Sequence, residues 1–203
     1  MQETQNISAN IIIYIVLVTG WALFYGVHSF LALNPVKYYI MQQLKLRAKA
    51  YRLLYNVVAA LTLLAIFIYL MLLPAQWLFA VSRAGQYIGL VAALWGLFII
   101  RLAFRNYSFK QFLGLEAEQQ NNLTVSGMQS KMRHPIYTGT LLLFVGLFLY
   151  APSIKHLISV LCLCAYLPIG IHLEEQKLMK QFGDAYLAYK KKVPALFPHI
   201  MKK

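Results

Sequence analysis

Acidic side chains are scarce: six Asp and Glu stand against 19 Lys and Arg in 203 residues, and charged residues together make up only 12%. Soluble domains carry nearer a quarter charged residues. A chain this poor in charge lacks the surface of a water-soluble fold, and its 60% hydrophobic content points to a bilayer as solvent. Cysteine is nearly absent too. Cys162 and Cys164 lie two apart in one apolar stretch, which puts them on different helix faces. That spacing offers neither a disulfide framework nor a metal or redox pair, and both read as small buried hydrophobes. There is no internal repeat, no glycine-rich nucleotide loop and no low-complexity tract.

What is abundant is apolar length. Ile11–Leu33, Leu53–Leu73, Ala84–Phe104, Ile136–Tyr150 and Ile154–Ile171 are the apolar stretches. The first three reach the roughly 20 residues that a spanning helix needs. The last two are shorter and are parted only by Ala151-Pro152-Ser153, which predicts a tight helical hairpin. The first stretch is too long for a cleaved signal peptide.

The net charge of +13 is distributed by loop. Lys37, Lys45, Arg47, Lys49 and Arg52 follow the first stretch; Arg105, Lys110, Lys131 and Arg133 follow the third; Lys177, Lys180, Lys190, Lys191, Lys192, Lys202 and Lys203 follow the fifth. Arg83 and Lys155 stand alone on the other side, and Arg101 lies inside the third stretch. By the positive-inside rule this predicts about five transmembrane helices, N-terminus out and C-terminus in the cytoplasm. The same asymmetry argues against nucleic-acid binding. The expected fold is an all-α polytopic membrane protein, a single domain over 1–203. Residues 1–104 form a three-helix part; 105–203 carry a loop, the hairpin and a C-terminal amphipathic helix.

Polar residues inside a membrane are candidates for function, and here they collect at one leaflet. His28 and Ser29 fall late in the first stretch, Asn56 early in the second, Arg101 in the last turn of the third, Arg133 and His134 just before the fourth, and His172, Glu174 and Glu175 just after the fifth. The hairpin must bring Arg133-His134 beside Glu174-Glu175. One reading is an interfacial salt bridge that pins the hairpin. The other is a ligand pocket. Pro135 suits the first turn of a helix, whose free N–H groups hold an anion. Tyr137 and Gly139 add a ring and a point of close approach, and the paired acids receive a cation or hydroxyls. Together these suit a small zwitterionic ligand.

Beyond the fifth stretch, Leu178, Phe182, Tyr186 and Tyr189 recur at helical spacing, with Gly183 a possible break and Pro194 and Pro198 as stops. This predicts a helix along the cytoplasmic surface, either lidding the hairpin mouth or serving as an anchor. Asn106–Lys131 is the one long, turn-rich loop.

RHPIYTG, followed about 35 residues later by LEEQKLMKQFGDAYLAYKKKVPALFP, resembles the isoprenylcysteine carboxyl methyltransferase-like superfamily. That superfamily also holds phospholipid N-methyltransferases, NnrU-like proteins and methanethiol S-methyltransferases. The resemblance implies an integral membrane enzyme of a bacterial cytoplasmic membrane, with its site facing the cytoplasm and S-adenosylmethionine as cofactor. It implies that His134, Pro135 and Tyr137 line the cofactor pocket with Arg133 beside them and Gly139 following. It further implies that Glu174 contacts the cofactor, that Glu175 supports it, and that Leu123 and Thr124 of LTVSGMQ lie near the adenosine. Prenylcysteine enzymes carry a tyrosine where Gln129 stands and a substrate-binding arginine where Gly170 stands. Those departures argue against carboxyl methylation. FYGVHSFLALNPVK and NYSFKQFLGL are more similar to the methanethiol S-methyltransferase and NnrU-like branch.

On that resemblance the expected reaction is methyl transfer to a small or lipid-like acceptor, a thiol first. The alternatives are phospholipid or prenylcysteine methylation, or a non-catalytic membrane binding or transport protein. A thiol reacts as thiolate, so His28, then His172, are the base candidates. Arg101 would supply a positive field, with Ser29 and Asn56 beside the acceptor. The competing readings are a helix-packing hydrogen bond for His28 and a snorkelling side chain for Arg101.

Overall fold

The computed structural model describes residues 2–105, 123 and 125–198. Thr124 and most of the Asn106–Lys131 loop lie outside the described residues. Among the described residues seven α-helices follow one another: α1 (Gln2–Ala32), α2 (Asn34–Gln43), α3 (Ala48–Leu72), α4 (Arg83–Phe104), α5 (Pro135–Tyr150), α6 (Ile154–Phe182) and α7 (Asp184–Lys192). A 3-10 turn, Gly127–Ser130, precedes α5. Among the described residues the only strand-like pairing is a single bridge, Trp77 to Ser153. Among the described residues four segments are long and apolar enough to cross a membrane: Ile11–Ala32, Ala48–Leu72, Arg83–Phe104 and Ile154–Phe182. The fifth apolar helix, α5, has 16 residues, about 24 Å at 1.5 Å per residue. The architecture is that of an integral membrane protein.

Two interfaces organise the bundle. In the first, α4 and α5 run antiparallel at backbone contact. A Cβ on Gly96 would sit 2.5 Å from the carbonyl oxygen of Gly139, and one on Gly146 would sit 2.4 Å from the nitrogen of Ala93. Gly89, Ala93 and Gly96 thus face Gly139 and Gly146, a small-residue seam of the kind that lets helices approach closely in lipid. In the second, α1 packs on α3 and α6 around Leu17, Trp21, Tyr25, Ile66, Leu70, Leu163 and Leu167. The Trp21 indole N–H donates to Ser159 Oγ at 3.0 Å, which ties α1 to α6.

At one end of the bundle the α3–α4 loop pairs with the hairpin turn. Leu78 N donates to Pro152 O at 2.9 Å and Ile154 N to Gln76 O at 3.0 Å. Lys155 donates to the carbonyls of Leu70 and Leu73, each at 2.8 Å, and so satisfies the C-terminus of α3.

Two elements differ from the sequence expectation. The helix α2 restarts directly after α1, with Pro35 in its first turn. The expected surface helix is instead split. The first part continues α6 to Phe182; Gly183, at φ 53° and ψ −129°, then turns the chain in a region that favours glycine. The helix α7 returns against the protein and buries Tyr186 and Tyr189 rather than lying free along a surface.

Candidate functional site

The hairpin closes as its short turn requires, and the start of α5 meets the far part of α6. The Arg133 guanidinium binds Oε1 of Glu175 through Nη2 at 2.7 Å and Nε at 2.8 Å. His134 Nε2 lies 3.2 Å from the same oxygen, and Lys190 Nζ reaches Oε2 at 2.6 Å. Glu175 is 4% exposed. A carboxylate buried this deeply is tolerable only when paired, and here α7 and the α5 entrance both supply cations.

The tail beyond α7 completes the corner. Arg133 N donates to Pro194 O and His134 N to Ala195 O, both at 2.9 Å. The Thr138 hydroxyl donates to Leu196 O at 2.6 Å, and Arg133 Nη1 donates to the carbonyls of Lys190 and Val193. Tyr189 donates to Gln129 O at 2.6 Å. Burial raises the Tyr186 phenol above its ordinary range, and the neighbouring Glu175 charge adds to the effect. That phenol therefore stays protonated inside the corner.

Glu174 behaves differently from its neighbour. Its side chain is 49% exposed, and its Oε2 lies 3.3 Å from His134 Nδ1 without the alignment of a hydrogen bond. Nδ1 is otherwise buried and unpartnered among the described residues. A carboxylate can only accept, so the His134 proton belongs on Nε2, facing Glu175. In that tautomer Nδ1 is left as an acceptor. A buried acceptor nitrogen beside an open carboxylate is a receptor for an N–H donor, above all an ammonium. The first-turn N–H groups of Ile136 and Tyr137 come before the first intrahelical bond, Thr138 N to His134 O. They offer the complementary subsite for an anion.

One helical turn deeper is a cluster of phenols. The Tyr137 hydroxyl and the Tyr166 ring come together at Gly170, where an added Cβ would lie 3.1 Å from the one and 3.0 Å from the other. Ser29 Oγ lies 2.8 Å from the Tyr166 hydroxyl, and the Tyr55 hydroxyl lies 2.9 Å from His28 Nε2. The His28 ring is sandwiched by Phe24 and Tyr55 at centroid distances of 5.7 and 5.1 Å. Thus α1, α3, α5 and α6 each send polar atoms to one place.

Of the residues singled out in the sequence, Arg133, His134, Pro135, Tyr137, Glu174 and Glu175 meet at the corner. His28 and Ser29 line the adjoining cluster, and half-buried Asn56 follows Tyr55 on α3. Three belong elsewhere. His172 is exposed and bonded to Gln176 at 2.9 Å. Two residues from both Gly170 and Glu174, it projects from the opposite side of α6. Gly139 faces the α4 backbone and not a pocket, since a Cβ there would sit 2.6 Å from Gly96 O. Arg101 is exposed in the last turn of α4, which packs chiefly on α5. Leu123 is half-buried before the 3-10 turn. Tyr55, Tyr166, Lys190 and Thr138 were missed, because tyrosines near a membrane surface read as an aromatic belt and backbone carbonyl partners have no sequence signature. Among the described residues no group of three His, Cys, Asp or Glu side chains could hold a metal ion.

Arg133, His134, Glu174 and Glu175 lie inside a region that a known family shares. A family model described as phospholipid methyltransferase matches residues 84–185, from the start of α4 into α7. The chain is similar to methanethiol S-methyltransferase 1 of Bradyrhizobium diazoefficiens, 41% identical over 69 residues, covering 33% of this chain and 23% of that protein. It is similar to protein-S-isoprenylcysteine O-methyltransferase of Xenopus laevis, 32% identical over 123 residues, covering 56% of this chain and 40% of that protein. It is also similar to a methanethiol S-methyltransferase of Crocosphaera subtropica, 35% identical over 72 residues, covering 36% and 28%. The matches thus span between about a quarter and two fifths of these relatives' own lengths. With half of its residues matched by the family model, the chain belongs to the phospholipid methyltransferase family.

Proposed function

We propose that this protein is a membrane methyltransferase that uses S-adenosylmethionine and passes its methyl group to a small thiol. The observation that carries the reading is the pairing of open Glu174 with the buried, unpartnered Nδ1 of His134. The residues present fit the amino acid end of the cofactor. Glu174 and Nδ1 would receive its amine, the Ile136 and Tyr137 N–H groups its carboxylate, and Tyr137 would lie along it. On family likeness Leu123 and Thr124 would be the residues of the adenosine side. Arg133 and Glu175, whose polar atoms are spent on each other and on α7, hold the corner in shape.

The bound cofactor supplies an electrophilic methyl on a sulfonium sulfur. The protein's task is then to place a nucleophile about 3 Å from that methyl, in line with the breaking bond. His28, whose ring nitrogens Nδ1 and Nε2 lie 3.0 and 2.9 Å from the Tyr55 hydroxyl, is the group at this place that would take the thiol proton. The cofactor would supply the methyl group as an electrophile, and His28 with Tyr55 would hold the acceptor thiol and receive its proton. His172 and Arg101 drop out of this scheme because of where they sit. The acceptor's chemistry rests on the methanethiol enzymes among the relatives, which carry that substrate in their names. In this reading the chain is one domain over 1–203 that crosses the membrane five times, N-terminus out, with α5 as the short crossing. The polar corner then lies at the cytoplasmic boundary, where a water-soluble cofactor and a membrane-soluble acceptor meet.

The test is a parallel assay. Membranes with methyl-labelled S-adenosylmethionine are offered methanethiol, phosphatidylethanolamine and a prenylcysteine. Label in dimethyl sulfide is the expected result. Label only in lipid would replace the thiol by a phospholipid, and no transfer to any acceptor would remove the enzyme reading.

A further inference from the structure

We infer that Tyr166 sets the size of the methyl acceptor, an inference that rests on the methyl-transfer reading above. Tyr166, Gly170 and Glu174 are spaced four apart and share one face of α6. Gly170 is buried, and a Cβ there would meet the Tyr166 ring at 3.0 Å and the Tyr137 hydroxyl at 3.1 Å. The groove left by the missing side chain is therefore already filled by a phenol. That phenol is fixed at both ends. Its ring stacks on Tyr25 at 4.2 Å and 9°, and its hydroxyl lies 2.8 Å from Ser29 Oγ. Tyr25 and Ser29 both belong to α1, so Tyr166 is a bolt between α1 and α6. Its ring adjoins the Tyr137 hydroxyl at Gly170, and its own hydroxyl meets Ser29, the neighbour of His28 on α1, so it borders both the Tyr137 side and the His28–Tyr55 side.

An acceptor that delivers its sulfur from the His28 side to the Glu174 side must pass this ring. A one-carbon thiol fits beside a fixed phenol. A longer or branched chain needs the ring to swing, which breaks both the stack and the Ser29 contact. In a filled pocket each excluded methylene changes kcat/KM by roughly tenfold or more.

The experiment compares methanethiol with butanethiol as acceptors, with S-adenosylmethionine affinity measured by calorimetry on the same samples. Wild type is expected to favour methanethiol. Tyr166→Ala is expected to raise the butanethiol-to-methanethiol ratio of kcat/KM by about tenfold or more, with cofactor affinity kept. Tyr166→Phe, which keeps the ring, and Ser29→Ala, which removes only the tether, are expected to raise it by less. An unchanged ratio in active Tyr166→Ala overturns the inference. Should that variant not fold, an unchanged ratio in both milder variants does so. Wild-type protein that binds the cofactor but methylates neither thiol overturns the thiol reading itself, a separate outcome.

Discussion

Replacing Glu175 by alanine separates structure from binding at the corner. Glu175 and Arg133 have side chains only 6% and 10% exposed, and their contacts at 2.7 and 2.8 Å are direct. Deleting one partner of a buried pair leaves the other charge uncompensated, at a cost of about 3–5 kcal/mol. The Lys190 arm is 40% exposed and adds under about 1 kcal/mol. Arg133 keeps its bonds to the carbonyls of Lys190 and Val193, so the lower part of that range applies. For a chain of this length each kcal/mol shifts Tm by about 2–4 °C, which gives a fall of roughly 10 °C. Thermal unfolding in detergent, followed by tryptophan fluorescence, reads it. Glu174→Ala is the comparison. That side chain is half-exposed, and its approach to His134 is unaligned, so its loss should cost no more than about 1 kcal/mol. Equal melting of Glu175→Ala and wild type would refute the reasoning, as would Glu174→Ala falling as far as Glu175→Ala.

Gly146→Ala should lower stability by about 1–3 kcal/mol, because its Cβ would lie 2.4 Å from the Ala93 nitrogen. Gly26→Ala, with nothing within 4 Å, should melt as wild type or slightly higher; the two melting curves decide. Lys155→Met should cost about 1 kcal/mol in the same assay by freeing the carbonyls of Leu70 and Leu73. Deleting the chain from Val193 onward removes the acceptors of Arg133 N and His134 N. At about 1 kcal/mol per hydrogen bond, cofactor affinity should drop by about tenfold or more in calorimetry, and unchanged affinity would show that the tail does not shape the corner.

The apolar helices were legible because their signal is length. Ile11–Leu33 and Ala84–Phe104 match the apolar segments Ile11–Ala32 and Arg83–Phe104 to within one residue, while α1 itself begins earlier, at Gln2. The meeting of Arg133-His134 with Glu174-Glu175 was legible for a topological reason, since two antiparallel helices joined by three residues bring the start of the first beside residues about as far along the second. The division of labour between the two acids was not. Adjacent residues on a helix point about 100° apart, and only coordinates show which of the two faces α7. The glycine seam left a trace in the seven-residue spacings Gly89–Gly96 and Gly139–Gly146. Gly139 was still drawn toward the pocket because it follows Tyr137 in sequence. The return of the tail depends on the backbone carbonyls of Pro194, Ala195 and Leu196, which carry no residue-type signal. His172 looked like a base because its nearness to Glu174 in sequence hid its position on the far side of α6.

The claim on which the rest depends is that Glu174 and His134 Nδ1 together hold a methyl donor. Calorimetric titration of S-adenosylmethionine into purified wild-type protein and Glu174→Gln, with Tm recorded for both, tests it directly. The account predicts a saturable heat for wild type and an affinity weaker by about tenfold or more for Glu174→Gln at nearly equal Tm. No heat from folded wild-type protein, or equal affinity in the two, would contradict it.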